Sequence, residues 1–347
     1  MSLIFAALLV SRQAFDMQGA LNGIRQKHPV PAVGCAVFSL DGHLDLWVSG
    51  VRQAGQTEVV KNGDTWLIGT NVKAMTGVLV ANEVQQGALQ WDEKLAKALG
   101  ATKIDPAYSS ATIESLANMT GGIDPAPPKG WTGYAGSDDL VELRKQAVAD
   151  QIGVKPAKAM AGQFMASDWS YVILSHIVEK IENLPIEDVM QRQIWYPIPL
   201  DAAAWGPNDD HEPVCHDATG MAHPGADEPK LMDGAGRARM SIRNWLVFFI
   251  NVLHSFKDHS RFVPDAYAKA LNTAPVDSFC LGWTKTTRPW AKNPVLWQEA
   301  DNTLTHSVAW LDPVGGVVYV AVCNQGGPEA KAACDEAIGT MIDNSVR

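Results

Sequence analysis

No run of lysine or arginine occurs in the 347 residues, and the formal net charge is −10. That balance excludes a nucleic-acid or anionic-membrane surface, because both need concentrated positive charge. No apolar stretch is long enough to cross a bilayer. The segment LIFAALLV at 3–10 falls far short of the roughly 20 residues a spanning helix needs. It also lacks a basic n-region and a clear A-x-A site, so it reads as an N-terminal helix on the body or a remnant of a signal h-region. The compartment, cytoplasmic or periplasmic/secreted, stays open, as does the oligomeric state. Cysteines are few and unpatterned: Cys35, Cys215, Cys280, Cys323 and Cys334 are odd in number and lack C-x-x-C spacing. They exclude a disulfide framework and read as buried free thiols. Ligand spacing is missing too. HEPVCHDATGMAH holds His211, Cys215, His216, Asp217 and His223, but Pro213 breaks any helical i, i+4 face. The segment reads as a loop rimming a pocket, with no metal or cofactor expected. Internal repeats, low-complexity tracts and long linkers are likewise missing, which leaves one large domain or two intimately joined lobes.

What is present is a large apolar fraction, 46%, and twelve tryptophans, most of them expected in the core. VGCAVFSL and LDLWVSGV flank Asp41-Gly42, a hairpin signal. After Thr70 the spacing becomes helical through Met75, Val78 and Leu79 and closes at Gly87. Helical patterns broken by Pro/Gly-rich loops dominate residues 90–270. Alternation returns in HSVAWLD, the turn Pro313-Val314-Gly315-Gly316 and VVYVAVCN, and a terminal helix is expected from Pro328. The expected fold is α+β, an α/β sandwich. Residues 1–65 and 270–347 supply an antiparallel sheet flanked by helices, and 66–269 supply an inserted, mostly helical lobe with a cleft between them.

The stretch GTNVKAMTG at 69–77 places a hydroxyl, Thr70, three residues before Lys73 at the start of that helix. Positions i and i+3 share a helix face about 5–6 Å apart, so the two can share a proton. The helix N-terminus adds N–H groups where an oxyanion would form, and a neutral lysine would serve as base. T-x-x-K alone is weak evidence, since a chain of this length contains several by chance.

Context strengthens it. WLIGTNVKAMTGVLVANEVQQGALQWDEKL resembles the nucleophile helix of the serine β-lactamase and penicillin-binding-protein superfamily, especially its class C-like esterase and peptidase branch. ATIESLANMTGGI resembles the stretch that follows it, and AGQFMASDWSYVILSHIVEKI the second motif region. LGWTK with LWQEADNTLTHSVAWLDPVGGVVYVAVCNQGG resembles the third. The similarity runs in order from about residue 20 to the C-terminus. It implies that family's sheet-plus-helical-lobe fold and a small-molecule ester or amide substrate.

By the same resemblance the family's nucleophilic serine falls on Thr70 and its lysine is kept as Lys73. Its Tyr-Ser-Asn falls on Ala166-Ser167-Asp168, and its His-x-Gly on Gln298-Glu299-Ala300. Asn302 and Thr303 match the retained part of the third region. Trp131 and Tyr134, in the loop DPAPPKGWTGYAG, are candidates to cap a ligand. Threonine keeps the oxygen nucleophile but adds a methyl and stiffens χ1. Ala166 removes a proton shuttle of the kind that contributes about 10²–10⁴-fold in rate. Asp168, placed near Lys73 by the resemblance, is expected to hold the ammonium charged, so that either Asp168 or Glu299 would have to be the base or there is no hydrolytic base at all. Ala300 is expected to crowd the strand edge along which a substrate lies. Three readings stand open. The first is acyl transfer through Thr70, with Lys73 and Asp168 managing protons. The second is non-covalent acid/base chemistry by Lys73, Asp168 and Glu299, namely cyclisation, elimination or isomerisation. The third is a ligand-binding pseudoenzyme. Against each residue stands a bland role: a structural Lys73–Asp168 ion pair, a solvated Glu299, and Ser167 as an N-cap.

Overall fold

The computed structural model describes residues 15–100, 103–128, 139–157, 161–200, 202–207, 212–257 and 260–344. The segment 3–10, Trp131, Tyr134 and His211 lie outside the described residues.

Among the described residues ten strands form two sheets: β1 (Ala32–Ser39), β2 (Leu44–Gly50), β3 (Thr65–Gly69), β4 (Ala203–Trp205), β5 (Ala238–Ser241), β6 (Ser278–Cys280), β7 (Trp283–Thr286), β8 (Val295–Asp301), β9 (His306–Asp312) and β10 (Val317–Cys323). The main sheet is antiparallel, seven-stranded, in the order β2-β1-β10-β9-β8-β7-β6. Its strands come from both ends of the chain, as expected. The hairpin between β1 and β2 turns at Gly42, whose φ of +98° few side chains tolerate. β10 is buried throughout because both faces of the sheet are covered, which explains its unbroken apolar run VVYVAVC. The small sheet, β3-β5-β4, draws two short strands from the stretch where only helical patterning was legible.

The helices are α1 (Met17–Lys27), α2 (Lys73–Gln85), α3 (Leu95–Leu99), α4 (Ile113–Ala117), α5 (Leu140–Ile152), α6 (Asp168–Glu182), α7 (Ile186–Met190), α8 (Ile242–Ser255), α9 (Asp265–Thr273) and α10 (Pro328–Asp343). α1 and α10 pack on one face of the main sheet through Leu21, Ile24, Ala333, Ala337 and Met341. α2, α6 and α8 build the larger core on the other face, around Met75, Ile173, Phe248 and Trp245. α8 starts where Ser241 Oγ accepts from the Asn244 N–H at 3.2 Å, an N-cap. α10 opens with Pro328 at its first turn, where the missing N–H costs nothing. All five cysteines are free and buried. Among the described residues no helix is long and apolar enough to cross a membrane.

Candidate active site

Thr70 ends the run Thr65–Gly69 of β3 and opens a 3-10 turn, Thr70–Val72, that continues directly into α2. Gly69 makes the corner at φ +55°. Asn71 fixes the turn to the sheet: its Nδ2 donates to Ser307 Oγ at 2.8 Å, and Ser307 Oγ donates to Ile68 O at 3.1 Å. The methyl that threonine adds lies beside Gly236, 3.7 Å from where a Cβ there would stand.

Thr70, Asn71, Lys73, Ala166, Asp168 and Gln298 line one cavity of about 320 Å³, walled on its apolar side by Met119, Phe164 and Phe279. Lys73 Nζ lies 2.6 Å from Asp168 Oδ1; the lysine side chain is 6% exposed and the aspartate 45%. The ammonium also sits over the Tyr171 ring, 5.9 Å from its centre. Tyr171 is one turn beyond Asp168 on α6, and its hydroxyl donates to Ala117 O at 2.9 Å. Sequence reading missed Tyr171, although its i+3 spacing from Asp168 was the available signal. Phe279, edge-on to Tyr171 and 5.8 Å from Phe164, was missed as well because it comes from a distant strand.

The expected contact between Asp168 and Lys73 is present, and it favours the ammonium. Burial is nonetheless the larger effect and pushes the Lys73 amine below its ordinary value, with Asp168 only opposing it. Removing the ammonium from water costs more than a half-exposed carboxylate returns.

Glu299 does not join this pair. Along β8 side chains alternate, and the register pairs Glu299 with Val308 and Trp297 with Trp310, residues of the face that packs under α10. Its carboxylate is bonded by Lys331 of α10 and lies 3.4 Å from His306 Nε2. Glu299 nonetheless lines the same cavity as Thr70, Lys73 and Asp168, with its carboxylate tied to α10 rather than to Lys73. Ala300 and Gln298 point the other way. The Ala300 methyl lies 3.1 Å from where a Cβ on Gly69 would stand, so it abuts the Thr70 corner. Asn302 does not reach the cavity lining. Its Oδ1 accepts from the Leu304 and Thr305 N–H groups and from Thr305 Oγ1, organising the β8–β9 turn. Ser167 precedes α6 without making a side-chain cap; its Oγ donates to Asp124 O at 3.3 Å. The Cys215–His223 segment rims no part of that cavity either. His216 is buried, with Nδ1 against Asn324 O at 2.9 Å and Nε2 accepting from the Ala54 N–H at 3.0 Å, which docks the loop on the sheet's end.

The Beta-lactamase family model matches residues 25–339. "Penicillin-binding protein 4" of Amycolatopsis lactamdurans is 27% identical over 186 residues, 53% of this chain; the match spans 47% of that protein, about half its length. The class C beta lactamase of Rhodobacter sphaeroides superposes with a TM-score of 0.72 at 16% identity, covering 94% of this chain and 99% of that one. The D-amino acid amidase of Ochrobactrum anthropi SV3 superposes at 0.74 with 15% identity, covering 96% and 98%. At such identities the superpositions speak for the fold alone, whereas the family model covers nearly the whole described chain. The chain belongs to the beta-lactamase family.

Proposed function

We propose that the protein is an acyl-transfer hydrolase of small esters or amides in which Thr70 takes the place of the family's serine. The observation that carries this reading is Lys73: a buried amine, pushed toward its neutral form, one turn from the Thr70 hydroxyl and in the same cavity. In the step envisaged, Thr70 Oγ bonds the acyl carbon while its proton passes to the Lys73 amine. The bond to the leaving amine or alcohol breaks, and that group takes up a proton from Lys73, with Asp168 steadying the ammonium in between. Water then attacks the threonyl ester, releasing the acid and restoring the hydroxyl. Ala166 leaves no phenol at the second motif, so Lys73 handles both proton transfers and turnover is expected to be slow. The 2.6 Å contact between Lys73 and Asp168 also suits the second reading, proton transfer without a covalent intermediate, but with two groups rather than three.

Intact mass after treatment with a fluorophosphonate decides between them. An adduct that maps to Thr70, disappears in Thr70→Ala and forms faster in Thr70→Ser is the expected result. Turnover that survives Thr70→Ala but is lost in Lys73→Ala would overturn acyl transfer in favour of the non-covalent reading. No adduct and no turnover, with ligand-induced stabilisation, would leave a binding protein.

A further inference from the structure

Gln298 is 4% exposed, yet neither its Nε2 nor its Oε1 has a hydrogen-bond partner. Buried carboxamides are nearly always satisfied, and leaving both ends unpaired is costly. Its place explains what is missing. β7 pairs with β8 only at Val295, Leu296 and Trp297, so from Gln298 onward the β8 edge has no strand beside it and opens on the catalytic cavity. Gln298 shares its sheet face with Ala300, which abuts the Thr70 corner, so the unpaired amide lies on the Thr70 side of the strand. Asn71, which lines the same cavity and whose Nδ2 is spent on Ser307, keeps an unpaired, buried Oδ1.

The charges of the lining point the same way. Among the described lining residues the only cation is Lys73, already bonded to Asp168, and the nearby Glu299 carboxylate is held by Lys331. A ligand carboxylate would find no free positive partner and would have to lie near Asp168. An uncharged amide would find an N–H donor and a carbonyl acceptor side by side on Gln298, and a further acceptor on Asn71.

We infer that the cavity selects substrates carrying an uncharged carboxamide or peptide amide, rather than a free carboxylate, next to the bond that is cut, with Gln298 as the specificity-determining residue. The inference rests on the acyl-transfer reading for which bond is cut, but the binding preference is measurable without turnover. The experiment uses the full chain with Thr70→Ala, titrated by calorimetry with N-acetyl-alaninamide and N-acetyl-alanine, each in both hands. The expected result is at least about tenfold tighter binding of the amide. Gln298→Lys should reverse that preference and Gln298→Met, which keeps the volume, should abolish it; the methionine variant decides if the lysine variant does not fold. Equal binding, tighter binding of the carboxylate, binding of neither, or an amide preference untouched by both variants would overturn the inference. If the preference holds while no adduct forms on Thr70 in the otherwise unaltered chain, acyl transfer fails and the recognition stands.

Discussion

Lys73 shows how burial and a neighbouring charge compete within a single residue. Its amine has lost its water, which favours the neutral form, while Asp168 pulls the other way from 2.6 Å. Asp168→Asn removes only the opposing effect, so the Lys73 amine should fall further below its ordinary value. If a neutral Lys73 is the base, the rising limb of kcat/KM against pH moves to lower pH in that variant, even though the rate itself falls. A limb that stays in place or moves to higher pH would show that another group is the base. Thr70 and Lys73 were legible as a pair from their spacing, and Asp168 only through the family resemblance of the stretch that holds it. The state of the lysine was not legible: its desolvation comes from Tyr171 and the walls around it, residues nearly a hundred positions away.

The start of α2 is pinned from several sides at the scale of the elements. Asn71 ties it to β9, Thr76 Oγ1 donates to Gly234 O at 2.6 Å, and the Tyr267 hydroxyl lies 3.1 Å from Ala74 O while accepting from Trp283 Nε1. Gly282, between β6 and β7, presses its backbone against the same turn at φ +89°; a Cβ there would overlap the backbone of Lys73 and Ala74. Gly282→Ala therefore combines positive-φ strain with a backbone collision. It should cost about 2–4 kcal/mol in urea denaturation and slow fluorophosphonate labelling at temperatures where the protein is still folded. A loss within about 0.5 kcal/mol, the range of an ordinary surface change, would contradict this packing. The chain announces α2 through its apolar spacing, but it carries no sign that Gly282, more than two hundred residues away, shapes the helix start.

Buried acid pairs join the helices of the whole molecule. Glu83 on α2 meets Glu182 on α6, and burial together with that neighbour raises it to about 7. Asp233 faces Glu187 on α7 and is raised to about 8, chiefly by burial, with Arg237 working against the shift. Arg192 bonds Glu182 at 2.6 Å, and Arg144 bonds Glu187 at 2.6 Å, so each pair also has a cation on its rim. Both acids hold a proton more tightly in the folded state than unfolded. Their stabilisation is therefore complete below the unfolded carboxyl range and is lost as pH rises through about 7 to 8. The melting temperature should fall as the pH rises from about 4 to about 8 and level off above that, by roughly 1–2 °C for each kcal/mol lost. Glu83→Gln, which keeps the hydrogen-bonding shape without the titration, should flatten part of that slope; an unchanged slope would count against the pair. The sequence by itself determined the strand–helix–strand order, the hairpins and the Thr70–Lys73 spacing, because alternation, helical periodicity and turn residues act over a few positions. Only the tertiary structure decided that Glu299 faces α10 while Gln298 faces Thr70, and that burial outweighs Asp168 at Lys73. Which side of a strand a residue takes is a parity set by its pairing with distant partners, and desolvation is the summed effect of groups that only folding brings together.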